Sequence, residues 1–206
     1  MHKKKIIFAV LAIMLLATIG GAYALYTGTA SKQENTFSIA AGSSDDSSAG
    51  TIEEPHWDET NATDLQPNNQ NIPKDPKLKS NVDYKAWVFI KVEIPVLSGR
   101  KDGDTVDTVY DAVTIDDYDL ANWKLIKKTE SHTLGTNSVY IYGYKTELAA
   151  KASTTPLFTS FSVPNFTKVN ETAGGKFTDS IDVSGAMISS DGTLTLDTAA
   201  AQLGLS

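Results

Sequence analysis

Along residues 84–96, YKAWVFIKVEIPV, the positions alternate with the period of a strand. Tyr84, Ala86, Val88, Ile90, Val92 and Ile94 share one face, while Lys85, Trp87, Phe89, Lys91 and Glu93 share the other. The first face is an unbroken core stripe, which predicts a central strand of a sheet covered on at least one side. Pro95 has no N–H to donate and is expected to end regular pairing or confine it to an edge. Shorter strands are expected at 106–110, 123–127, 139–146, 157–163, 180–187 and 193–196, separated by turn residues such as Gly99, Asp102-Gly103, Gly135, Gly174-Gly175 and Asp191-Gly192. Only 117–122 and 198–203 read as helical, and both are brief. Many short strands with this punctuation predict an all-β fold, a two-sheet antiparallel sandwich with one or two short helices.

The N-terminal pattern is different. His2-Lys3-Lys4-Lys5 is followed by an apolar run over 6–19 and then by Gly20-Gly21-Ala22-Tyr23-Ala24. This is the order of a secretory signal helix, with small residues at Ala22 and Ala24 for the peptidase and a cut before Leu25. The competing reading is an uncleaved anchor, since the apolar stretch is close to the length that spans a bilayer. The chain then divides into a signal peptide at 1–24, an N-terminal segment with first strands at 25–39, an acidic flexible loop at 40–50, and the remainder of the sandwich at 51–206. Residues 58–83, rich in Asn, Asp and Pro, read as a long surface connection around an extended piece at 72–78.

Composition narrows the function. The formal net charge of −7 argues against nucleic-acid binding, and loss of Lys3, Lys4 and Lys5 with the signal makes the exported chain more acidic still. The sequence has no cysteine, so an exported fold must rest on its core without disulfides. With His2 removed, only His56 and His132 remain, and no His-Glu-x-x-His pair exists to hold a catalytic zinc. No nucleophile elbow or phosphate-binding glycine loop is present. The expectation is a non-enzyme without a cofactor. Asp102, Asp104 and Asp107 are weak calcium candidates whose other reading is a solubilising acidic turn. Trp87, Phe89, Tyr140, Tyr142 and Tyr144 read either as a ligand platform or as cross-strand packing.

Three segments carry a resemblance: GGAYALYTGTASKQENTFSIAAG at 20–42, KDPKLKSNVDYKAWVFIKVEIP at 74–95, and YIYGYKTELAAKASTTPLFTSFSVPNFT at 140–167. In this order they resemble the TasA and camelysin family of exported bacterial proteins. The resemblance implies a jelly-roll-like β-sandwich, processing by a SipW-type signal peptidase, and a place in the fibres of a biofilm matrix. It also brings a metalloprotease label, for which this sequence has no motif. The mature start departs from the family pattern, with Leu25-Tyr26-Thr27-Gly28 where an acidic residue is common.

Cleavage gives Leu25, Tyr26, Thr27, Gly28, Thr29 and Ala30 a second meaning. Once released from the membrane helix, these residues form an extended segment with unpaired backbone groups, able to donate a strand to the sheet of another subunit. A head-to-tail contact of this kind does not close on itself and grows a filament. The competing reading is a first strand within its own domain. Three functions follow: a secreted subunit or accessory of an extracellular matrix, a monomeric surface sandwich that binds a ligand through its loops, and a secreted protease. The expected partners are the signal peptidase and other copies of the chain or matrix subunits, with membrane contact only through the uncleaved signal.

Overall fold

The long apolar stripe forms a strand of 16 residues around which the other elements are arranged. The computed structural model describes residues 27–36, 49–62, 65–170, 179–190 and 192–206, the first stretch by its backbone. In chain order the strands are β1 (Thr27–Thr36), β2 (Gly50–Glu53), β3 (Ile72–Pro73), β4 (Lys77–Ser80), β5 (Ala86–Lys101), β6 (Thr108–Asp111), β7 (Trp123–Thr129), β8 (Asn137–Tyr144), β9 (Ser160–Phe161), β10 (Phe166–Val169) and β11 (Ser180–Ser189). A 3-10 turn lies at Glu59–Ala62, and one helix, α1 (Leu196–Gln202), follows the last strand. The fold is all-β. Among the described residues no helix is long and apolar enough to cross a membrane.

The main sheet runs β4-β2-β1-β11-β5-β8-β7. Its pairs are antiparallel except β1 with β2, which is parallel. Pro95 does not end β5. Its own position pairs with Asn137, its carbonyl accepts from Ala112 N–H at 2.8 Å, and the strand continues to Lys101 by changing neighbours from β8 to β6 and β10. A proline interrupts a ladder only where its missing N–H is required, so one strand serves two sheet regions.

Between Ala86 and Ile94 the two faces of β5 divide as the alternation predicts, one fully buried and the other mixed. Val88, Ile90, Val92 and Ile94 enter the main core with Leu78, Trp123, Tyr142, Phe158, Phe161, Ile181 and Val183. This inner face is covered by the β3–β9 ribbon and by the segments around 113–115 and 148–158. Each fully buried large apolar side chain here contributes about 1.5–3 kcal/mol. On the outer face, Phe89 and Ile188 are covered by Ala199 and Ala200 of α1.

Two expectations are corrected, one by this helix and one by a turn at Asp119. Residues 193–196 are not a strand: Thr195 caps α1, its hydroxyl accepting from Thr198 N–H while Thr198 Oγ1 accepts from Thr195 N–H. Residues 117–122 are not helical either. Asp119 instead closes a turn, its carbonyl accepting from Trp123 N–H and its carboxylate from Asn122. The expected strand at 157–163 shortens to two residues, and the surface connection at 58–83 contains two short strands, each with buried residues, on either side of the buried Lys74 and Asp75. The signal peptide, and all of the acidic loop before Ala49, lie outside the described residues.

Candidate functional site

The segment singled out by the cleavage pattern sits inside the sheet. Thr27, Gly28, Thr29 and Ala30 pair with Ile188, Met187, Ala186 and Gly185 of β11, and after a bulge Gln33–Thr36 pair with Val183–Ser180. On its other side, among the described residues, β1 bridges to β2 at Ala30 and Gly50. One wall of the seat is therefore a long antiparallel ladder and the other a single parallel bridge. Gly50 is shaped for this place: a Cβ there would lie 3.1 Å from Lys79 O and 3.3 Å from both Leu78 Cδ2 and Met187 Sδ. Leu25, Ala22 and Ala24 at the cut, with Tyr26, lie outside the described residues.

The outer margins of the sheet are less receptive to a new strand. Beyond β4, Ser80 N–H donates to Ala152 O at 2.8 Å and Thr154 N–H to Leu78 O at 2.9 Å, so a loop closes that edge. At the other margin, β7 carries Lys124, Lys127 and Lys128 and is kinked by a bulge between Leu125 and Lys127. Charged side chains and bulges are the devices by which edge strands resist edge-to-edge pairing.

Two of the three acidic candidates, Asp104 and Asp107, have their carboxylates bonded within the protein itself. Asp107 accepts from Lys168 Nζ at 2.7 Å, from Asn170 Nδ2 at 2.6 Å and from Arg100 Nε. These donors hold its carboxyl well below the usual range, the Lys168 bond contributing most. Asp104 accepts from Tyr110 Oη and from Lys101 N–H, which lower its pKa. Asp102 donates its backbone N–H to Asn165 O at 3.2 Å. Among the described residues no group of three or more His, Cys, Asp or Glu side chains stands close enough to hold a metal ion. His56 is paired to Asp75, and His132 lies exposed in the turn between β7 and β8.

The aromatic set divides between the two faces. Tyr140 and Tyr142 lie on the side of the main core, where Tyr142 stacks on Tyr118 with ring centroids 4.7 Å apart and Trp123 meets Tyr144 edge-on at 5.0 Å. Trp87 and Phe89 lie on the opposite side under α1. The five do not form one platform. They are packing residues, and Tyr140 adds a 2.8 Å hydrogen bond to Asp111, whose other oxygen accepts from the buried Ser138 hydroxyl.

No family model, curated protein or solved structure matches this chain.

A polar cluster in the long connection was missed by the pattern reading. Lys74 is wholly buried and its Nζ lies 2.7 Å from Glu54 Oε1, with side-chain exposures of 0% and 5%. The indole face of Trp57 stands 4.6 Å from the same Nζ. Asp75 accepts from His56 N–H at 2.9 Å and lies 2.7 Å from His56 Nδ1. Burial pushes the Lys74 pKa down, opposed by the charge of Glu54. The only signal in the sequence is Lys-Asp-Pro between two apolar positions, Ile72 and Leu78, and it names no partner for the lysine.

Proposed function

We propose that this chain is a secreted structural protein of an extracellular, biofilm-type matrix, released by a SipW-type signal peptidase and assembling through its N-terminal strand. The reading rests on the resemblance of three ordered segments to the TasA and camelysin family, and on one structural observation. β1 lies between β11 and β2, with an extended ladder on one side and a single bridge on the other. A strand so placed can be replaced by the same residues of another copy, which reproduce each β11 pairing. One subunit donates and the next accepts, so the contact propagates rather than closes. On this reading the nine-stranded sheet and its covering ribbon form a jelly-roll-like sandwich, and the outer margins guard against irregular growth.

The second reading is a monomeric surface sandwich that binds a ligand or host protein. The pairing of β1 within its own sheet favours it, because the chain completes its own ladder. Sedimentation of the mature chain over a range of concentrations separates the two. The matrix reading predicts growth to large species, and the binding reading predicts a constant monomer. Chelator-sensitive turnover of casein by rigorously purified protein would instead point to the protease.

A further inference from the structure

Lys74 is the one lysine among the described residues whose side chain is wholly out of water. An ammonium group offers three N–H donors, and burying it without matching acceptors is costly. Its Nζ lies 2.7 Å from one carboxylate oxygen of Glu54, off the angle of a good hydrogen bond, and over the face of Trp57, with the charges of Asp75 and Asp182 acting on it from further away. Buried polar groups left in this state require a physical explanation. Asp75, next in the chain and also buried, does not provide it, because His56 occupies both of its carboxylate oxygens. Glu54 is left as the acyl group beside the amine.

We propose that Lys74 and Glu54 become joined by an intramolecular amide between Nζ and Cδ, formed once folding has brought them together. In the proposed step the Lys74 ammonium, whose pKa burial lowers, passes one proton to the Glu54 carboxylate. The amine lone pair then attacks Cδ of the carboxylic acid, the C–N bond forms, and one C–O bond breaks. The departing oxygen leaves as water, carrying one proton from the acid and one from the nitrogen. No oxidation or reduction takes place and no cofactor is consumed. Fixed proximity replaces the encounter that makes such condensations slow in water. The product carries no charge, so the cost of the buried ammonium disappears.

The bond would connect the chain just beyond β2 to the chain just beyond β3, beside the strand that lines the seat of β1. In a chain without cysteine it performs the task of a disulfide by restricting the unfolded state. The neighbouring Trp57, which also meets Phe161 with ring centroids 6.4 Å apart, closes the pocket over the reacting pair.

Mass spectrometry of the full chain after secretion, under denaturing conditions, tests the proposal. The expected mass is one water below that of the sequence counted from its observed N-terminus. A protease digest should yield a branched fragment joining the peptide of Glu54 to the peptide of Lys74. A full sequence mass with two separate fragments would overturn the proposal and leave an ordinary buried ion pair. Lys74→Met fills the pocket without an amine and should restore the full mass and lower the denaturation midpoint. If that variant fails to accumulate, the wild-type spectrum still decides the matter.

Discussion

Ala30 and Gly50 form the one bridge among the described residues between the N-terminal strand and the neighbouring β2, and the two strands run parallel. A Cβ on Gly50 would crowd Lys79 O, Leu78 and Met187, which would each have to give by a few tenths of an ångström, and the branched side chain of valine adds more. Gly50→Val should therefore force β2 away from the seat and cost about 1–3 kcal/mol, the usual range for overpacking. Chemical denaturation of the mature protein measures this. An unchanged midpoint would mean that Lys79, Leu78 and Met187 give way to the side chain and that Gly50 is not required there.

A second close approach fixes the helix. A Cβ on Gly143 would lie 2.7 Å from Leu196 Cδ1 and 2.9 Å from Phe89 Cε1. Gly143→Ala is expected to displace α1 from the outer face and destabilise the protein by about 1–3 kcal/mol. Near-ultraviolet circular dichroism should register the changed surroundings of Trp87, whose indole N–H donates to Leu194 O at 3.1 Å.

The inner polar network gives a third expectation. Ser138 is buried, donates to Asp111 and accepts from Ser131 N–H at 2.9 Å. Ser138→Ala leaves that donor and that carboxylate oxygen without this partner, which should cost about 1–3 kcal/mol. Thermal unfolding measures the loss, and Ser138→Thr should recover part of it by restoring the hydroxyl.

Alkaline pH should also destabilise the fold. Burial raises the pKa of Tyr118, Tyr140 and Tyr142, and the hydrogen bond to Asp111 raises that of Tyr140 further. Unfolded tyrosines lose their proton near pH 10. The stabilisation from these groups is therefore complete below about pH 10 and is lost as pH rises through the higher folded values. In an alkaline titration, part of the tyrosinate absorbance should appear only as tertiary structure is lost. Ionisation of Tyr118, Tyr140 and Tyr142 with the other tyrosines before unfolding would contradict this.

The parts of the fold that were legible in the sequence are those carried by local periodicity. The inner and outer faces of β5 follow directly from alternation between Ala86 and Ile94, and Gly103 and Gly135 sit in turns with positive φ of 88° and 80°. The expectations failed where a distant partner decides the outcome. Pro95 remains in its strand because Asn137 and Ala112 accommodate it, and Thr195 starts a helix because Thr198 completes its cap. The Lys74 site was invisible for the same reason, since its meaning depends on Glu54 across an intervening loop. The seat of β1 was half legible: the composition of 25–30 marks a strand, but nothing local identifies β11 as its neighbour.

The central claim is that residues 25–30 of one copy complete the sheet of the next. Mature protein with these residues deleted should be compared with the intact mature chain by electron microscopy at matched concentration. The account predicts filaments from the intact chain, none from the truncated one, and a truncated body that still unfolds cooperatively. Normal filaments from the truncated protein would contradict it.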